Sequence, residues 1–263
     1  MVEIQTILQG FSIITTQGGL GYCSVTLLRG EKITLVDVGH VGRRQLLIER
    51  VRAAGLEPEQ IERIILTHAH WDHALNVDCF PNAEIVIHTN ELDYVQNPNP
   101  LDWATPIWTQ DVLRRSRIVP VRDGDEVERG VRIMATPGHS PGSQTVLVEA
   151  ADGIIGLCGD ALPNRAAVAW MGPRLVFWDA EEARASAQRI VDTCTTLYPG
   201  HDRPFRIQHG NLHYIEETSL DVLFIPRDDE GRPLGAFRED PMPYGAQIMP
   251  SARRTAATGD GNG

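Results

Sequence analysis

The sequence has no paired cysteines, no long apolar run and no block of like charge. Its four cysteines, Cys23, Cys79, Cys158 and Cys194, are scattered along 263 residues without a C-x-x-C pair. That spacing excludes a zinc finger, and in a reducing compartment it leaves them as small buried hydrophobes rather than disulfide partners. No apolar stretch approaches the ~20 residues that cross a bilayer. The start, Met-Val-Glu-Ile-Gln-Thr, lacks the charged-then-apolar pattern of a secretory leader, so a cytoplasmic location is the expectation. Asp and Glu number 35 against 24 Lys and Arg, for a formal net charge of −11 spread along the chain. That balance repels phosphate backbones and anionic lipid, so neither nucleic acid nor membrane is the expected partner. No G-x-S-x-G elbow is present, which removes the commonest route to a covalent serine hydrolase.

The chain is long enough to bury a substantial core. Val25–Leu28 and Ile33–Val38 are β-rich runs around Arg29-Gly30-Glu31, a hairpin signal. Apolar residues at Leu46, Leu47, Val51 and Ala54 carry a helical spacing that ends at Gly55. Ile61–Leu66 and Glu84–His88 read as strands. Residues 97–109 are rich in proline and tryptophan, and a helix over Gln110–Arg115 follows. Further strands are expected at 126–128, 131–135, 144–149, 154–157 and 196–198, with an amphipathic helix over Ala180–Thr193. This order fits two sheets packed together with helices outside, an α/β layered class, better than a strictly alternating parallel fold. One domain over 1–250 is expected, with an insertion at about 97–115 and a C-terminal extension from about 206. Arg227–Pro233 reads as a late hairpin, and residues 251–263 have so little to bury that a disordered tail is predicted.

The chemistry concentrates in Thr67-His68-Ala69-His70-Trp71-Asp72-His73. His68 and His70 are two apart at a strand end, so their rings can point to one side. Asp72 and His73 follow where the chain turns away. Three imidazoles and a carboxylate in six residues suit Zn²⁺, and also Fe²⁺, Mn²⁺ or Co²⁺. Three single residues, each following a glycine and lying in or after a strand-end loop, complete the pattern: His139 in Pro137-Gly138-His139, Asp160 in Cys158-Gly159-Asp160, and His201 in Pro199-Gly200-His201.

Taken in this order, the segments resemble the dinuclear hydrolase branch of the metallo-β-lactamase-fold superfamily over roughly residues 3 to 205. The resemblance implies an αββα sandwich with two divalent ions at one edge, most readily zinc. It puts one ion on His68, His70 and His139 and the second on Asp72, His73 and His201, with Asp160 bridging. It also puts Asp37, in Val36-Asp37-Val38-Gly39, behind a ligand histidine. Two ions about 3.5–4 Å apart can share a water and make hydroxide near neutral pH. The expected reaction is therefore hydrolysis of an ester or lactone in a small, partly hydrophobic substrate, with Asp72 and Asp160 as the catalytic carboxylates and Asp72 passing a proton to the leaving group. Glyoxalase II-like thioesterases share all seven ligands, but their basic C-terminal region is not identifiable here. Phosphotriesterase activity is a further reading of the same site, and a mononuclear iron persulfide dioxygenase-like oxidoreductase is the rival from another class.

One departure stands out. Lactonases of this group commonly carry a tyrosine a few residues after the bridging aspartate, whereas Asp160 is followed by Ala161-Leu162-Pro163-Asn164. Tyr22 is the candidate to replace it. Five tryptophans stand out in a chain with only 6% aromatic residues. Trp71, Trp103, Trp108 and Trp170 are expected either to wall an apolar pocket or, for Trp103 and Trp108, to pack at a homodimer contact. His40, His88, His209 and His213 read as structural or surface residues, and Arg203 and Arg206 as surface ion pairs.

Overall fold

In the computed structural model, which describes residues 2–218 apart from 17, together with 220, the chain opens with β1 (Glu3–Leu8) and a small hairpin, β2 (Phe11–Thr15) and β3 (Gly18–Tyr22). It continues through β4 (Val25–Arg29), β5 (Ile33–Val36), α1 (Arg44–Ala53), β6 (Arg63–Ile65), α2 (Trp71–Ala74), β7 (Glu84–His88), α3 (Thr89–Tyr94), α4 (Thr109–Leu113) and β8 (Arg117–Val121). The second half contains β9 (Glu126–Glu128), β10 (Val131–Ala135), β11 (Gln144–Ala150), β12 (Gly153–Gly159), α5 (Arg165–Trp170), α6 (Ala180–Thr193), β13 (Thr196–Pro199), β14 (Phe205–Gln208) and β15 (Asn211–Tyr214).

Two mixed sheets result. The first has the order β1-β4-β5-β6-β7-β8, and the second β15-β14-β13-β12-β11-β10-β9. Strands β5 to β8 pair in parallel, as do β12 and β13, while the remaining pairs are antiparallel.

The two-residue period of a strand explains the layering. Leu28, Val36, Ile65 and Val86 point inward and meet Val131, Ile133, Val146 and Leu157 of the other sheet. Their neighbours Leu27, Leu35, Ile64 and Ile85 point outward against Leu47 and Val51 of α1. On the far side, Met134, Cys158 and Leu197 pack under Ala187 and Ile190 of α6. Strands buried on both faces are largely apolar, which is why Ile64–Leu66 reads as an unbroken run and Val25–Leu28 is interrupted only by Thr26. The layers are helix, sheet, sheet, helix: the expected αββα sandwich.

Several expectations shift in detail. The helix foreseen over 110–115 is α4 (Thr109–Leu113), and Trp170 is the last residue of α5. The β2–β3 hairpin, β8, α3 and α5 carry no strong periodicity and were not foreseen. Residues 206–218 of the C-terminal extension supply the edge strands β14 and β15. The hairpin at 227–233, the tail at 251–263 and the domain limit at 250 lie outside the described residues. None of the described helices is long and apolar enough to cross a membrane.

Candidate metal centre

The carboxyl ends of five strands converge at one edge of the sandwich. Asp37 follows β5, the segment from His68 to His73 follows β6, His139 lies between β10 and β11, Asp160 follows β12 and His201 follows β13. Because β12 and β13 run in parallel, their two exits lie side by side. Gly200 makes this possible: a Cβ there would overlap Asp160 Oδ1 and the Gly159 carbonyl.

The side chains come together as two clusters of donors. His68, His70 and His139 form one, while Asp72, His73 and His201 form the other. Asp160 faces both: its Oδ1 is 3.4 Å from His73 Nε2, and its Oδ2 is 3.5 Å from His139 Nε2 and 3.2 Å from His201 Nε2. Asp72 Oδ2 lies 3.4 Å from His201 Nε2 and 3.9 Å from His73 Nε2. Six of these residues are buried and His201 nearly so.

Four of the five imidazoles are anchored by one ring nitrogen and leave the other facing inward. His73 Nδ1 is 2.8 Å from Asp37 Oδ2, His139 Nδ1 donates to the Leu175 carbonyl at 2.8 Å, and His201 Nδ1 donates to the Tyr22 carbonyl at 3.0 Å. His68 Nδ1 contacts Thr67 Oγ1 at 3.1 Å. His70 is turned the other way round, with Nε2 3.4 Å from Asp102 Oδ2 and Nδ1 facing the cluster.

This arrangement suits a cation. Since His139 Nδ1 donates to a carbonyl, its Nε2 presents a bare lone pair 3.0 Å from His70 Nδ1. If His70 keeps its proton on the side of Asp102, two lone pairs face each other, which is repulsive unless a positive ion lies between them. The buried His68 Nε2, His73 Nε2 and Asp160 Oδ1 have no hydrogen-bond partner among the described residues, an arrangement that is costly without a ligand. Burial, with His70 next, lowers His139 to about 4, so its lone pair is free at neutral pH. Burial opposes charge on Asp160, but His201 and His73 hold its carboxyl well below the usual range.

Two supports were not foreseen from sequence. Buried Glu91 in α3 accepts from the Ala69 amide (2.9 Å), the Ser140 hydroxyl (2.8 Å) and the Gly142 amide (2.9 Å), bracing two ligand loops against each other. Asp102, on the Pro- and Trp-rich insertion, caps a turn with Oδ1 on the Ala104 and Thr105 amides, while Oδ2 accepts from Tyr94 and approaches His70. An aspartate in such a segment already reads as a turn cap, so nothing local signals its second task.

The donors open into a cavity of about 530 Å³ walled by Leu20, Trp71, Trp103, Trp170, Leu175 and Phe177. The unforeseen Phe177 sets its ring edge-on to His70 (5.0 Å), His139 (5.6 Å) and Trp103 (5.5 Å). Two pocket expectations are corrected. Trp108 lines a separate cleft with Val41, Phe80 and Val112, because α4 turns its ring away from the donors. The Tyr22 ring is not in the cavity wall: it stacks on His40 at 4.6 Å and Phe11 at 4.7 Å, and only its carbonyl reaches His201. His40 and His88 cap short helices, His209 and His213 are exposed, Arg206 pairs with Asp152, and Arg203 lies over Tyr214.

Comparison with known proteins agrees with this arrangement. Metallo-beta-lactamase domain-containing protein 1 of Xenopus laevis is 29% identical over 192 residues, covering 72% of this chain and 75% of that protein. The N-acyl homoserine lactonase of Bacillus cereus is 29% identical over 162 residues, covering 59% and 62%. Among solved structures, the dizinc quorum-quenching lactonase AidC, in complex with its product, matches with a TM-score of 0.65 at 17% identity, covering 84% of this chain and 95% of that one, a likeness of fold. The family model of the metallo-beta-lactamase superfamily matches residues 18–201, which contain every donor described above, and the chain belongs to that superfamily of metal-dependent hydrolases.

Proposed function

We propose that the protein is a dinuclear metallohydrolase that opens a lactone or cleaves an ester with an apolar acyl part. The observation carrying this reading is the position of Asp160 between two three-donor clusters at the floor of an aromatic cavity. His68, His70 and His139 would hold one ion, and Asp72, His73 and His201 the other, with Asp160 shared. Bound there, two divalent ions, zinc foremost and iron, manganese or cobalt by the same donor chemistry, supply Lewis acidity and activate water. The protein's own groups do the rest. Asp37, Leu175, Tyr22 and Asp102 fix the ring orientations, and Trp71, Trp103 and Phe177 exclude bulk water from the scissile bond. Asp72, with Oδ2 on the cavity side of His201, passes a proton to the leaving oxygen. The lactonase relative supports the choice of substrate class.

Thioester and phosphotriester cleavage use the same donors and belong in the same assay. The complete second cluster supports two ions over the single iron of a persulfide dioxygenase. The exposed Leu101, Ile107 and Trp108 of the insertion support a homodimer, which light scattering would check.

The test is acid release at constant pH by metal-loaded protein across lactones, aryl esters, thioesters and a phosphotriester, with Asp72→Asn as control. Turnover of a lactone or ester, lost in the variant, is expected. Silence across the panel in protein carrying two ions per chain would overturn the reading.

A further inference from the structure

Among the described residues, Arg174 is the one lysine or arginine in the cavity wall, in a protein of net charge −11. Its guanidinium carbon lies 3.9 Å from the centre of the Trp170 ring. No carboxylate among the described residues forms an ion pair with it, whereas Arg184 pairs with Glu181 and Arg189 with Asp123. Stacking uses a face of the guanidinium and leaves its in-plane N–H donors available for a second partner.

The segment bearing Arg174 is fixed relative to the metal donors. The Gly172 amide donates to Ala167 at the end of α5, Leu175 receives His139 Nδ1, and the Phe177 amide donates to the His139 carbonyl at 3.0 Å. The charge is therefore held at a set place beside, and not within, the donor cluster. Arg174 is exposed and Trp170 is half exposed, which puts the pair at the mouth, while Phe177 lies against His70 and His139. Apart from the donors, Arg174, Ser12 and Asn164, the described residues of the wall carry no polar side chain.

We propose that Arg174, seated on Trp170, is an anion-binding subsite, and that the substrate carries a carboxylate at the end of its apolar body remote from the scissile carbonyl. The bond cleaved rests on the hydrolase reading above; the anion recognition does not.

Two matched pairs test this. The first is the mono-4-nitrophenyl ester of octanedioic acid against 4-nitrophenyl octanoate, with metal-loaded wild type, Arg174→Gln and Arg174→Glu. The acid-to-neutral ratio of kcat/KM should fall by about tenfold in Arg174→Gln, carried by KM, and further in Arg174→Glu. A ratio constant within twofold across the three proteins overturns the proposal and leaves the hydrolase reading intact. If neither ester is cleaved, binding decides alone, and the hydrolase reading is left to the wider substrate panel. The probes are then 8-anilinonaphthalene-1-sulfonate and its uncharged analogue N-phenyl-1-naphthylamine. A preference for the sulfonate that disappears in Arg174→Gln supports the subsite, and an unaltered preference removes it.

Discussion

The carboxylate of Asp102 stands 3.4 Å from His70 Nε2, with the Tyr94 hydroxyl on the same oxygen at 2.8 Å. An insertion that contributes exposed apolar residues on its outer side thus ends, on its inner side, against a metal donor. Removing an outer partner of this kind costs metal affinity by roughly 10–100-fold. Asp102→Ala should therefore weaken zinc retention on that scale in competition with a chromophoric chelator. Tyr94→Phe, which leaves the carboxylate in place, should cost less; equal loss in both variants would show that the turn matters and the charge does not.

Gly21 presses on the other cluster. A Cβ at this position would lie 2.7 Å from Asp72 Oδ2 and 3.1 Å from His201 Cε1. Gly21→Ala should lower the bound metal from two ions towards one, while the unfolding free energy of metal-free protein moves by about 1 kcal/mol or less. Elemental analysis after gel filtration reads the first and urea titration the second.

Asp37 uses both oxygens as acceptors: Oδ1 from the Thr67 amide at 2.8 Å, Oδ2 from the Thr67 hydroxyl and facing His73 Nδ1, each at 2.8 Å. Asp37→Asn keeps shape and volume but turns one acceptor into a donor aimed at a donor, or forces His73 into the tautomer that cannot bind metal through Nε2. A loss of about 1–3 kcal/mol in stability is expected for the mismatch, together with loss of the second ion.

Glu84 lies among Lys32, Arg63 and Arg117, at 2.6, 3.1 and 3.1 Å. Burial pushes its carboxyl up, but Lys32 and Arg63 outweigh that and hold it below the ordinary value. A folded-state pKa below the unfolded one adds stability that is present above the ordinary carboxyl range and lost as pH falls through it. Metal-free protein should lose stability between about pH 5 and 3, the carboxyl titration range, and Glu84→Gln should flatten that slope in urea titrations.

Much of the frame was legible because it depends on neighbours in sequence. Ile64–Leu66 is apolar on both faces, Val25–Leu28 is so but for Thr26, and α6 spans Ala180–Thr193, where its apolar spacing places it. The convergence of these seven side chains was legible for the same reason, since each sits at a strand exit beside a glycine or within one short motif. What escaped is long-range or weakly patterned. Gly18-Gly-Leu-Gly reads as a turn yet forms β3, whose pairing with β2 carries it. β8 contains Pro120, tolerated because β8 is the edge of its sheet. Glu91 bridges to residues 22 and 51 positions away, and the Leu175 carbonyl anchors a histidine 36 positions back. Trp108 was misplaced by proximity in sequence to Trp103, since five residues of turns suffice to carry it to another face.

The donors divide between the layers: His68, His70, Asp72 and His73 leave the first sheet, while His139, Asp160 and His201 leave the second. Ions held among them would act as rivets through a sandwich whose layers are otherwise joined along this edge by side-chain packing and a few hydrogen bonds, the Gln144 amide to the Thr67 carbonyl among them. Free ion at a hundred times its dissociation constant adds about 2.7 kcal/mol to the folded state, a large part of the stability of an ordinary domain. Chelation should thus do more than silence the site. It should let the two layers part first at this rim, so that amide exchange accelerates at the ends of β6, β12 and β13 before the helices on the outer faces loosen.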